Sequence, residues 1–240
     1  HNIMPLPTIA TPTYELTLPS SKRKVKYRPF LVKEEKVLIM AMESDNLSDI
    51  GRAIKDVLSA CILTRGIKVD KLSTFDIEYL FLNVRGKSVG ETIDLLITCQ
   101  DDGETKVPVS ISIDEIKVKY HEDHNPDIKL DDKLTMRMRY PSLSEFIAQN
   151  FGTGDKLEQS FEVIAGSIDQ VFSEEESWEA KDCTKKELVQ FIEQLNSSQF
   201  KQVERFFETM PKLSHTLVVT NPNTGEENSV VLEGLAAFFS

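Results

Sequence analysis

Apolar residues recur at every second position in several runs between Ile93 and Tyr140, and at three- and four-residue steps on either side of that stretch. The two periods cannot be exchanged. A period of two sends alternate side chains to opposite faces of a strand, whereas a period near 3.6 gathers them on one face of a helix. Ile93, Leu95, Ile97 and Cys99 share one strand face, Gln100-Asp101-Asp102-Gly103 reads as a turn, and Val107, Val109, Ile111 and Ile113 share the next. The alternation resumes at Ile116, Val118 and Tyr120, and again at Leu134, Met136, Met138 and Tyr140. Half-buried antiparallel strands produce this pattern. The acidic run 121–132 reads as an exposed connection.

The flanks are mostly helical. Before the strands, Tyr14, Leu16 and Leu18, the break Pro19-Ser20-Ser21, and Val25 and Tyr27 outline a hairpin. Its Lys22, Arg23, Lys24, Lys26 and Arg28 form the most basic stretch, read as a solvated strand face rather than an anion site. Helical patterning follows over 33–42. Leu47, Ile50, Ile54, Val57, Leu58, Cys61 and Ile62 then line one helix face, with Asp45, Asn46 and Ser48 supplying capping oxygens. Ser73 and Asp76 have the spacing of a capping box, opening a third helix that runs to about Val84. Beyond the strands, Leu157, Phe161, Ile164, Ala165, Ile168, Val171 and Phe172 form an amphipathic stripe, and the acidic run 173–179 reads as a solvated loop around Trp178. Thr184 and Glu187 cap a helix bearing Leu188, Phe191, Ile192 and Leu195; Phe200, Val203, Phe206, Phe207 and Met210 mark another, ended by Pro211. A hairpin turning at Asn221-Pro222-Asn223-Thr224-Gly225 comes last.

Strands in one block with helices before and after give an α+β class. The 240 residues allow one domain or two. The pattern changes near Pro141, and Gly152 and Gly154 loosen the chain. The expected division is therefore an α+β unit over 1–140, containing the antiparallel sheet, and a mainly helical unit over 141–240 that ends in a hairpin.

Net charge decides the class of partner. The chain carries −11, which opposes non-specific contact with nucleic acid or anionic membranes, so neither is expected as a partner. Cys61, Cys99 and Cys183 are odd in number and far apart, which argues against a disulfide framework and fits a reducing compartment. No apolar run approaches the roughly 20 residues of a membrane span. The opening His1-Asn2-Ile3-Met4-Pro5 lacks an apolar signal core, and Met4 is a candidate initiator.

Few fragments carry residues arranged for chemistry. Gly86-Lys87-Ser88 resembles the end of a phosphate loop, but Phe81 stands where the loop's first glycine would have to be, and Leu80-Phe81-Leu82 belongs to a helix. His121, Asp123, His124 and Asp127 cluster in sequence, yet a polar loop offers no frame to fix metal geometry. Cys99 precedes a turn as a zinc hairpin would require, but Asp101 and Asp102 occupy the partner positions. No serine lies in a nucleophile elbow. The chain is expected to have no catalytic residues, no cofactor and no bound metal, and not to be an enzyme. Its unusual feature is an apolar end, Leu235-Ala236-Ala237-Phe238-Phe239, which either folds back into the core or docks on a partner. Phe206 and Phe207 pose a related question, because neighbours on a helix point about 100° apart.

Four segments resemble a known family. They are Tyr27-Arg28-Pro29-Phe30-Leu31-Val32-Lys33-Glu34-Glu35-Lys36, Arg85-Gly86-Lys87-Ser88-Val89-Gly90-Glu91, Phe207-Glu208-Thr209-Met210-Pro211-Lys212-Leu213 and Val231-Leu232-Glu233-Gly234-Leu235. In content and order they resemble the baseplate hub subunits and hub-assembly proteins of T4-type bacteriophages. The resemblance implies a tailed-phage protein made in the host cytoplasm, acting in the central hub of the tail baseplate through contacts with other hub and tail proteins. It brings no catalytic residues. Leu235, Phe238 and Phe239 are the hypothesised partner contacts at the apolar end, and Trp178 in its acidic loop is a further one. A transient tail-assembly chaperone or catalyst absent from the virion, and an enzyme with a hidden site, are the alternative classes.

Overall fold

The computed structural model describes residues 5–44, 46–151 and 156–238. Met4, Asp45, Gly152, Gly154 and Phe239, each of which enters the reading of the sequence, lie outside the described residues. The described chain is α+β, as its two periodicities require. A hairpin of β1 (Tyr14–Thr17) and β2 (Lys24–Tyr27) leads to α1 (Val32–Glu43), α2 (Leu47–Cys61) and α3 (Thr74–Val89). Strands β3 (Thr92–Thr98), β4 (Lys106–Ser112), β5 (Lys117–Lys119), β6 (Asp127–Lys129) and β7 (Thr135–Met138) follow. Then come α4 (Leu143–Phe151), α5 (Lys156–Gly166), β8 (Ile168–Phe172), β9 (Ser177–Glu179), α6 (Lys185–Glu193), α7 (Ser197–Thr209), β10 (Lys212–Thr220) and β11 (Glu227–Glu233). A short 3-10 turn, Leu235–Phe238, completes the described residues.

Every named pairing is antiparallel. β1 pairs with β2 and β3 with β4, β10 lies between β11 and β5, and the fourth sheet runs β6-β7-β8-β9. In the first hairpin Leu16 faces Val25 and Tyr14 faces Tyr27, so alternate residues enter the core while Lys22, Arg23, Lys24 and Lys26 stay in water. Gly103 and Gly225 take positive φ in the two turns that close β3-β4 and β10-β11, a conformation that side-chain-bearing residues rarely adopt. Those turns are clasped together. The buried Asn221 amide donates to Asp101 and Asp102 at 3.0 Å each, and the Thr224 hydroxyl donates to Asp101 at 2.6 Å. Thr224 and Asn221 hold the Asp101 carboxyl below the usual carboxylate range. Asp102 is held low chiefly by the Thr105 hydroxyl, with the Glu104 and Thr105 amides and Asn221 adding.

The interior forms two apolar clusters, and chain order does not separate them. The first holds the β1-β2 hairpin, α2, α3, β3, β4 and the start of α4 (Leu143, Phe146, Ile147), and then takes back Leu213, Val219, Val230, Leu235 and Phe238. The second holds Ile128, Leu130, Met136 and Met138 with Ile164, Ile168, Val171, Ile192, Val203 and Phe206. Each fully buried aliphatic or aromatic side chain contributes about 1.5–3 kcal/mol relative to exposure. The packing thus runs across the expected join at 140/141, with residues from both sides of it in each cluster.

Four local expectations are corrected. The helix over 157–172 stops at Gly166. A Cβ there would lie 2.6 Å from Glu145 Oε1, and the buried Ser167 turns the chain, so Ile168, Val171 and Phe172 continue as the strand β8 between β7 and β9. The run 173–179 is no free loop: Ser173 Oγ accepts from the Glu175 and Glu176 amides, and Trp178 pairs with Val171 in β9. The run 121–132 contains β6 and buries Ile128 and Leu130. Ser73 does take the N-cap position of α3, but the capping box does not form. Asp76 instead accepts from the backbone N–H and hydroxyl of Ser20, which ties α3 to the first hairpin, and the helix continues to Val89. Thr184 and Glu187 do close their capping box.

Candidate docking surface

α1 begins with an ion pair taken out of water. Arg28, the one basic residue of the hairpin stretch that turns inward, meets Glu34 with both side chains largely buried, and donates to the Pro29 carbonyl at 3.2 Å. Glu34 also accepts from the Leu31 N–H at 3.3 Å, satisfying one of the amides that every helix start leaves open. Cys61 of α2 closes the cluster, its Sγ 3.6 Å from Arg28 and 3.8 Å from Glu34. Burial pushes this thiol up to about 12, with Glu34 adding to the shift and Arg28 opposing it. From the far side, the Ser88 hydroxyl donates to the Phe30 carbonyl at 2.8 Å, and the Phe30 and Phe81 rings meet edge to face at 5.6 Å. The start of α1 is held from two directions.

Its outer surface is not covered. Ile39 and Met40 are 58% and 60% exposed, and Val32, Val37 and Met42 also face water. Going round the helix, apolar side chains appear on nearly every side, a distribution usual for a helix that is buried all round. Leu38, Ala41, the buried Glu34 and the half-buried Glu35, which accepts from the Ser88 hydroxyl at 3.3 Å, face the body. Along one flank, Phe30, Leu38, Met42, Ile54, Phe81 and Val89 line a groove of about 440 Å³ between α1, α2 and α3. A contiguous exposed apolar patch of this kind marks an interaction site.

A second apolar hollow lies in the other cluster. Leu134, Trp178, Cys183, Leu188 and Phe191 line a cavity of about 340 Å³, with Trp178 46% exposed at its rim. Of the residues singled out as partner contacts, Trp178 is therefore at the surface. Leu235 and Phe238 are buried in the first cluster, so these two side chains of the apolar run fold back onto their own chain rather than stand free to dock. The Leu235 backbone donates to the Glu78 carboxylate, whose surroundings push it up to about 7, burial being the main cause. Phe206 turns inward and Phe207 is half-buried. Nothing in the helical spacing alone marks the α1 surface; the signal in the sequence is that apolar residues occupy the whole circumference.

The fragments tested for chemistry do other work. Gly86-Lys87-Ser88 is a stretch of α3 in which Gly86 admits Ile113, whose Cδ1 would lie 1.8 Å from a Cβ, and Lys87 pairs with Glu91 at 2.8 Å. His124 stacks on Tyr140 and meets Phe206 at a tilt, the three rings touching one another, with Nδ1 2.9 Å from the Thr209 hydroxyl, while Asp123 and Asp127 turn to Arg205 and Arg137. Burial, with His121 adding, lowers the His124 pKa. Among the described residues, no group of three or more His, Cys, Asp and Glu side chains is placed to hold a metal ion, and no helix is long and apolar enough to cross a membrane.

Compared with known proteins, residues 11–240 match the family model described as T4 bacteriophage base plate protein. No curated protein and no solved structure matches the chain.

Proposed function

We propose, from the premise that the chain belongs to the T4 bacteriophage base plate protein family, that it builds the central hub of the baseplate by docking on other tail proteins, without catalytic turnover. Membership extends over residues 11–240 and makes this a phage baseplate protein. The finer reading is carried by one observation, the uncovered apolar surface of α1. Its anchored first turn is a second support, because a rigid apolar helix loses little freedom when a partner covers it. Apolar anchors of this kind supply binding area, and the charges interleaved with them, Lys33, Lys36 and Glu43, supply register and partner choice. The hollow at Trp178 offers a secondary contact. Assembly takes place in the host cytoplasm, and the product is the tail baseplate.

Two measurements test this. The Ile39→Lys and Met40→Glu variants, co-expressed with the remaining tail proteins, are expected to fold normally and lose association with the hub. Retained association would remove α1 from the interface. Mass spectrometry of purified virions is expected to find the chain in the tail. Association during assembly combined with absence from virions would instead identify a transient assembly factor.

A further inference from the structure

One face of α1 carries an ordered set of exposed side chains. With about 100° between successive residues, Val32, Lys36, Ile39, Met40 and Glu43 fall within about 100° of one another around the helix. All five are exposed, and the buried Glu34 and half-buried Leu38 and Ala41 lie on the opposite side. The stripe has a symmetry of its own. Its centre falls between Ile39 and Met40, with Lys36 before it and Glu43 after it at the same distance, about 5 Å along the axis. Among the described residues, neither of these two charges is ion-paired within its own chain. Glu43 is also the last residue of the helix, where the carbonyl end of the dipole disfavours a carboxylate. For a helix on its own, that charge is misplaced.

We propose that this face pairs with the same face of a second copy, the two α1 helices running antiparallel about a two-fold axis between Ile39 and Met40. Each Lys36 then stands level with Glu43 of the other copy, and Ile39 and Met40 of both copies fill the centre. A two-fold contact requires a surface that complements itself. An apolar centre flanked at equal distances by opposite charges does so, and an arbitrary apolar face does not. Charge also fixes the direction, since a parallel pair would set Lys36 against Lys36 and Glu43 against Glu43. The antiparallel pair brings Glu43 to the N-terminal half of the neighbouring helix, which relieves its misfit with its own dipole. A chain of net charge −11 repels its own copies, so they approach best through a contact in which each charge meets its opposite. α1 spans 12 residues, about 18 Å, so the contact is small and forms as concentration rises. The inference rests on reading α1 as a docking surface; it names a second copy as what covers the outer face and leaves the groove on the flank to other tail proteins.

Sedimentation of the full-length protein is expected to show a dimer, at twice the 27.2 kDa chain mass, that grows with concentration. Lys36→Glu and Glu43→Lys, each made alone, put like charges at both ends of the contact. Each is expected to be monomeric at the same concentrations, with an unchanged unfolding midpoint. Mixing the two variants restores both ion pairs, so the mixture is expected to form a dimer with one chain of each, and Lys36→Glu/Glu43→Lys is expected to dimerise by itself. A parent that stays monomeric at every concentration, a dimer indifferent to the single reversals, or one that the mixture does not recover overturns the proposal. The docking reading fails separately. A monomeric parent whose Ile39→Lys variant loses the hub keeps α1 as a docking surface and overturns the second copy. A dimeric parent whose Ile39→Lys variant keeps the hub retains the pairing and removes α1 from the hub contact.

Discussion

α1 and the turn Leu235–Phe238 are both short apolar helical segments, and they meet opposite fates. Phe238 is fully buried in the first cluster, whereas Met40 of α1 stands mostly in water. The difference lies in what surrounds each segment. The C-terminal turn follows directly from β11, and its Leu235 backbone is fastened to Glu78 of α3, so its side chains are delivered onto an existing core. α1 is fastened at its first turn through Arg28 and Glu34 and then runs beside α2, with Ile39 and Met40 mostly in water. Apolar content sets how much a segment gains by being covered. Connectivity decides whether its own chain does the covering.

The sharpest way to break this comparison is Phe238→Ala. Removing a fully buried aromatic ring is expected to cost about 3–5 kcal/mol in chemical denaturation. An unchanged unfolding midpoint with lost hub association would show that the ring serves a partner instead. Next in size, Glu34→Gln leaves the Arg28 guanidinium without its buried counter-charge and is expected to cost about 3 kcal/mol, with hydrogen exchange rising along α1 more than along α7. Uniform exchange would mean that the ion pair does not hold α1 in place. The third prediction concerns the other segment. Glu78 has its pKa raised from 4.5 to about 7, so the folded chain holds a proton that the unfolded chain releases. Stability from this group is present below pH 4.5 and is lost as pH rises through 7. Glu78→Gln, which keeps an acceptor for the Leu235 amide, is expected to be more stable than the parent at pH 8 and equal to it at pH 4. A parallel pH profile in the two proteins would refute the assignment. Smallest of all, Met40→Ala is expected to shift stability by less than about 0.5 kcal/mol while weakening association, measured by denaturation and co-purification side by side.

The sequence made some of this legible and hid the rest for physical reasons. α2 was plain because one face carries all of its large apolar residues, and β3-β4 was plain because alternation and a glycine turn agree. For β8 periodicity misleads, because Ile168, Val171 and Phe172 also satisfy helical spacing; pairing between β7 and β9, a tertiary contact, makes residues 168–172 a strand. The Ser73-Asp76 box failed for a similar reason, since Ser20, far away in sequence, competed for the carboxylate. For the candidate site, periodicity shows which face of a segment is apolar and cannot show whether another element will reach it. Periodicity therefore leaves Phe238 available for docking and does not single out Met40.

The first cluster has a consequence for how the molecule is made. Leu213, Val219, Val230, Leu235 and Phe238 complete a core whose other members lie between residues 16 and 147, and β10 supplies the partner strand of β5. A ribosome therefore displays an incomplete hydrophobic face from residue 147 until residue 238 has been added, while the second cluster, spanning 128–206, has all its members and can close earlier. The unit that carries α1 is begun first and finished last.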